Sequence, residues 1–206
     1  MGTNPIHPLG DRDSNRLEAF SDGIFAVAIT LLVLDINFPK VKDLTEQGLI
    51  SALISLWPKY FAYLNSFVTV LLMWMAHHSL FKMVKHVGNS LIIANGFLMF
   101  LAVLIPFPTR ILGDYIDSGA FRVAAVFYTG FFVLTSLAFV ILWFVILKDK
   151  KHLHHHISEE TIKKQSKIEL TGLICNGMIA LISFFFPWLG LILTTAMWMY
   201  WLISVK

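Results

Sequence analysis

The chain has 206 residues, 57% of them hydrophobic and 14% charged, with a mean hydropathy of +0.71; soluble domains carry about 25% charged residues, so this composition is that of an integral membrane protein. The formal net charge of +3 and pI near 9.0 come mostly from Lys and Arg beside apolar runs, which argues against a nucleic-acid-binding surface and reports orientation in a bilayer instead. Cys175 is the single cysteine, which excludes an intrachain disulfide and a cysteine-type zinc cluster.

The opening stretch MGTNPIHPLGDRDSN is polar and lacks the basic-then-apolar order of a secretory signal. Ile6 stands where a myristoylation signal needs Ser or Thr, so spanning helices rather than a lipid anchor are expected to hold the protein in the bilayer. A spanning helix needs about 20 mostly apolar residues. Charge punctuation yields six, over residues 17–38, 56–81, 89–109, 121–147, 168–186 and 188–205, which together predict a single all-α six-helix transmembrane domain over residues 1–206.

The first, RLEAFSDGIFAVAITLLVLDI, starts like the capped end of a soluble helix and then carries no charge from Gly23 to Leu34. The second is prefaced by DLTEQGLISALISLWPKYF, which predicts an outer helical approach kinked near Pro58 before the bilayer. The third ends at IPFPTR, where two prolines read as a stop. The fourth is uninterrupted and leads into KDKKHLHHHISEETIKKQSK, the longest charged loop. The fifth and sixth meet at the Phe186-Pro187-Trp188 corner.

With the N-terminus inside, the inner segments hold eleven basic residues (Arg12, Arg16, Lys82, Lys85, Lys148, Lys150, Lys151, Lys163, Lys164, Lys167 and Lys206) and the outer ones five, Lys40, Lys42, Lys59, Arg110 and Arg122. That bias predicts a multi-pass protein of the cell membrane with both termini cytoplasmic. The even number of spans agrees.

On a wheel at 100° per residue, Gly23, Val27, Thr30 and Leu34 share one stripe with Leu31 at its edge, while Asp22, Ala26, Ile29 and Val33 share the opposite one. A carboxylate facing lipid is intolerable, so Asp22 must face protein. Trp74, His77 and His78 at i, i+3 and i+4, with Asn95 about two turns into the third helix, supply donors that match Ser21 and Asp22. The cluster reads as a buried clamp between helices, with a proton relay or a metal site through Asp22 and His77 as the other readings.

Arg16-x-x-x-Phe20-Ser21-Asp22 opening the first helix, WMAHH from Trp74 to His78, Asn95, and PFPT from Pro106 to Thr109 resemble the bacterial members of the transmembrane protein 175 family of potassium channels. The resemblance covers essentially the six-helix chain. It implies six helices per subunit, a homotetramer, and a central pore lined by the first helix. It also implies a hydrophobic constriction at Val27, Leu31 and Leu34 with Thr30 as a hydroxyl layer, and a motif of Arg16, Phe20, Ser21, Asp22, Trp74, His77 and Asn95. Val27 departs from the bulkier Ile or Leu more usual there, and a smaller side chain widens that layer.

The expected function is thus a passive, K⁺-permeable cation channel, with potassium ions and the lipid bilayer as partners and no cofactor. No carbonyl filter sequence of the Thr-Val-Gly-Tyr-Gly type is present, so an apolar constriction would gate by dewetting. K⁺ is the more weakly hydrated ion and would cross it at lower cost than Na⁺. The alternative is a proton-coupled transporter using Asp22, His77 and His78. A carrier needs a polar site near the midplane, however, and there the first helix offers only Thr30. An enzyme or metal protein would need a nucleophile or a spaced ligand set, which adjacent His77 and His78 do not supply.

Other polar residues have plainer readings. His154, His155 and His156 are expected to be a solvated part of the charged loop, Glu169 to favour the N-terminus of the fifth helix, and Asn176 to join helices. Asp35 and Lys40 read equally as a pore vestibule or a solvated helix end.

Overall fold

The computed structural model describes residues 9–39, 43–148, 152–154 and 157–204. They form α1 (Leu9–Leu32), a short 3-10 turn (Val33–Asp35), α2 (Glu46–Ser55), α3 (Trp57–Phe81), α4 (Asn89–Leu104), α5 (Pro106–Tyr115), α6 (Phe121–Lys148), α7 (Glu159–Phe185) and α8 (Pro187–Ser204). Five helical segments, 14–35, 57–81, 89–115, 121–148 and 159–185, are long and apolar enough to cross a membrane, and residues 187–198 form a shorter apolar helix. The chain is therefore a multi-pass membrane protein. Among the described residues the only strand pairing is one isolated bridge, Val84 with Leu153.

The approach helix α2 starts where Thr45 accepts a hydrogen bond from the Gly48 N–H. It stops at Leu56, and Pro58 lies in the first turn of α3, where a missing N–H costs nothing. Pro106 and Pro108 differ from expectation. They break the third span at Ile105 but do not end it, because they fall at the first and third positions of α5, and the helix runs on to Tyr115.

The fifth span also differs. It starts at Glu159 rather than 168, since the Ser158 hydroxyl accepts from the Thr161 N–H and Glu159 and Glu160 complement the helix dipole. Glu169 is consequently the eleventh residue of α7, about 15 Å along the axis at 1.5 Å per residue, and not at its N-terminus.

One apolar core joins α1, α3, α4 and α6 around Phe25, Leu32, Leu80, Leu98 and Leu142; a second joins α3, α5, α6 and α8 around Leu112, Tyr128 and Leu191. α1 packs on α3 and α4, and α7 packs on α6 and α8. The α7–α8 corner is tight. A Cβ on Gly190 would meet the Ser183 side chain and stand 3.0 Å from its Cα, so glycine there permits the close approach.

Candidate functional site

The sequence of α1 separates its two faces. Ser21, Phe25, Ala28 and Leu32, spaced i, i+4, i+7 and i+11, are buried against α3 and α4. Gly23, Ala26, Val27, Thr30, Val33 and Leu34 are exposed, with Val27 at 50% and Leu34 at 66%. Leu31 lies half-buried at the edge of that face. Ala26 and Val33 do not lie on the packed side as the wheel predicts: both are exposed, because the buried stripe is centred on Ala28 and Leu32 and Val33 opens the 3-10 turn after α1, where the 100° spacing no longer holds.

Behind the exposed face, polar side chains from three helices form one chain of hydrogen bonds. Ser21 Oγ donates to the Leu17 carbonyl at 2.9 Å, and Asn95 Nδ2 donates to Ser21 Oγ at 2.9 Å. Asn95 Oδ1 is left to accept from His77 Nε2 at 2.8 Å. Ser21, His77 and Asn95 are all 0% exposed. Because Asn95 Oδ1 can only accept, His77 Nε2 carries a proton, and Nδ1 has no hydrogen-bond partner among the described residues. Aromatic rings enclose it, with Phe25 edge-on at 5.4 Å and Phe81 stacked at 4.2 Å.

A second tier lies beside the first. Trp74 Nε1 donates to Asp22 Oδ1 at 2.8 Å, and His78 Nδ1 meets Glu18 Oε1 at 2.7 Å while its ring stacks on Trp74. The structure thus brings together Ser21, Asp22, Trp74, His77 and Asn95. Arg16 and Phe20 lie on the exposed side, Phe20 at 58%. Glu18 was not singled out by the sequence reading. Its signal was spacing, because Glu18 and Asp22 lie four apart on α1 just as Trp74 and His78 do on α3, so two facing pairs meet in register.

On the exposed face, Thr30 Oγ1 donates to the Val27 carbonyl at 2.8 Å. Its proton is used within the helix, and its lone pairs are turned outward as acceptors. At the other end of the helix, Lys59 and Arg110 flank Asp114 at 3.0 and 3.7 Å, and Asp35 shares a small recess with Lys59 and Arg110. Lys40 lies outside the described residues, as do His155 and His156. The His154 N–H donates to the Met83 carbonyl, tying that loop to the end of α3. Among the described residues no group of three or more His, Cys, Asp or Glu side chains is placed to hold a metal ion.

A further buried group escaped the sequence reading. Ser66 Oγ is 2.6 Å from Thr109 Oγ1 and 3.0 Å from Tyr128 Oη, joining α3, α5 and α6, and Thr195 on α8 donates to Asn65 on α3 at 2.8 Å. Asn176 donates to Ser136 across the α6–α7 contact at 2.6 Å.

Residues 16–106 match the family model described as endosomal/lysosomal potassium channel TMEM175. The chain is 45% identical over 131 residues to a potassium channel of Chamaesiphon minutus, the match spanning 64% of each chain. It is 31% identical over 191 residues to a potassium channel of Chryseobacterium sp., 93% of each chain, and 45% identical over 97 residues to the endosomal/lysosomal proton channel TMEM175 of Danio rerio, 44% of this chain and 19% of that one. The crystal structure of a lysosomal potassium-selective channel TMEM175 homologue from Chamaesiphon minutus superposes with a TM-score of 0.85 at 34% identity, covering 95% of this chain and 99% of that one.

Proposed function

Since the chain belongs to the TMEM175 family of potassium channels, we propose that it is a passive, potassium-permeable cation channel whose pore is lined by α1 in a homotetramer. The observation that carries this reading is the division of α1 and the 3-10 turn that continues it: an uncharged face bearing Val27, Thr30 and Leu34 is exposed in the single chain, while the rear face is anchored by the polar chain through Ser21, Asn95 and His77. Lipid could cover the apolar part of such a face, but family membership and the hydroxyl of Thr30 within it favour an axis shared with other copies. Four copies around one axis turn each residue of that face into a ring.

The constriction is proposed at Val27, Leu31 and Leu34. Apolar rings of this sort exclude water when narrow and conduct when widened. Thr30 stands between them with its oxygen lone pairs directed away from its own helix, which suits contact with a cation that has shed part of its water. Leu31, half-buried at the edge of the face, completes the constriction between the Val27 and Leu34 rings. In this reading residues 1–206 form one channel domain, α8 is the sixth span, and both termini lie on the cytoplasmic side of the cell membrane. Asp22, Trp74, His77 and Asn95 hold α1 in place. Their hydrogen bonds to one another support that role over a proton-coupled transport site.

The test is a recording from purified protein in planar bilayers under opposed K⁺ and Na⁺ gradients. A current that reverses toward the K⁺ equilibrium potential is expected. Electroneutral exchange without current, or flux that requires a proton gradient, sinks the proposal.

A further inference from the structure

Away from α1, a cavity of about 370 Å³ lies between α3, α6, α7 and α8, within the size range of small-molecule sites, roughly 300–1,000 Å³. Its wall is mostly apolar and aromatic, including Phe132, Phe139, Trp198 and Trp201. Two polar groups in it are incompletely matched. Glu169 is 9% exposed and, among the described residues, receives one hydrogen bond, from the neutral amide of Gln165 at 2.7 Å. No Lys, Arg or His among the described residues pairs with its carboxylate. The indole N–H of Trp198 is buried without an acceptor. Lys164, the other charged residue of the lining, is exposed and stays solvated.

A carboxylate this far into a spanning helix is costly unless it is protonated or paired with a cation, and among the described residues no cation pairs with it. An acyl chain would leave the charge unmatched and an anion would be repelled. A hydrophobic amine meets both demands, because its charge pairs with Glu169 and its alkyl groups pack against aromatic faces that themselves attract cations. We propose that this cavity is a binding site, one per chain, for a hydrophobic organic monocation of the tertiary or quaternary amine class, held by Glu169 and the rings of Trp198 and Trp201. An acceptor atom on such a ligand would also satisfy the Trp198 N–H. The site is separate from the proposed permeation path, and its occupancy does not depend on what the pore conducts.

Isothermal titration of the detergent-solubilised full-length protein with tetrabutylammonium tests it. One saturable site per chain is expected, and Glu169→Gln, a near-isosteric change, should weaken it by at least about tenfold, as expected for removing one partner of a desolvated charge pair. Ala76→Phe, which fills the lining from α3 and leaves the carboxylate intact, should abolish binding and serves if Glu169→Gln fails to fold. Absence of binding to the unmodified protein, equal affinity in Glu169→Gln, or retention in Ala76→Phe overturns the site. Binding lost in Thr30→Ala but kept in Glu169→Gln places the cation in the permeation path and overturns it equally.

Discussion

Asn95 is the residue on which the anchor of α1 turns, because among the described residues it is the one side chain that bonds to both α1 and α3. Asn95→Leu strands the Ser21 lone pair and the His77 Nε2–H together. Each orphaned buried group costs about 1–3 kcal/mol, so thermal unfolding in detergent should drop clearly, and by more than for Trp74→Phe, which gives up one bond at a partly exposed carboxylate. On the opposite face the effects should separate by readout. Leu34→Asn should wet the constriction, raising single-channel conductance and weakening K⁺ preference at little cost in stability. Leu32→Ala, two residues away but fully buried, should cost about 2–5 kcal/mol and leave conductance per open channel unchanged. Val33 cannot serve as that packing control, since it is as exposed as Val27. Conductance unchanged in Leu34→Asn but altered in Leu32→Ala would mean that α1 faces the axis with its other side.

At the scale of elements, legibility followed the physics of each signal. Long uncharged runs are unambiguous, and the spans 57–81 and 121–148 lie within a residue of expectation. The misplaced boundaries are those where local chemistry contradicts a simple stop rule: Pro106 and Pro108 are tolerated in a first turn, and Ser158 caps a helix whose first two turns are too polar to resemble a span. In the polar anchor, Trp74, His77 and Asn95 were legible because such side chains at membrane depth demand partners. Ser66, Thr109 and Tyr128 were not, since Ser and Thr in a helix can satisfy themselves on the preceding turn, as Thr129 does with the Ala125 carbonyl. The α7–α8 hairpin gives a test at this scale. Gly190→Ala places a methyl against the Ser183 backbone and side chain, and overpacking of about 1–3 kcal/mol should lower the unfolding temperature, an effect that Ala at exposed Gly96, where nothing stands within 4 Å, should not reproduce.

For the whole molecule, the proposed topology is open to chemical labelling. In a Cys175→Ala background, Ser118→Cys between α5 and α6 should react with an impermeant maleimide added to intact cells, and Ser158→Cys before α7 should react only after lysis. The reverse pattern would place the termini outside and invert the basic-residue bias. The first apolar core supports α1 and its anchor, while the α7–α8 pair forms a wall of the amine cavity, whose opposite lining from α3 and α6 includes Met73 and Phe139 of that same core.

The hydrogen-bonded chain of Leu17, Ser21, Asn95 and His77 has a consequence for biogenesis. Every member lies between residues 17 and 95, so the first helix can be oriented and locked before α6, α7 and α8 have been synthesised. Helices that insert early and already carry their partners need no later element to correct them, in keeping with the N-to-C order in which growing chains fold. The face of α1 left uncovered is therefore set while the nascent chain is still alone, and assembly with other copies begins from surfaces that are already formed.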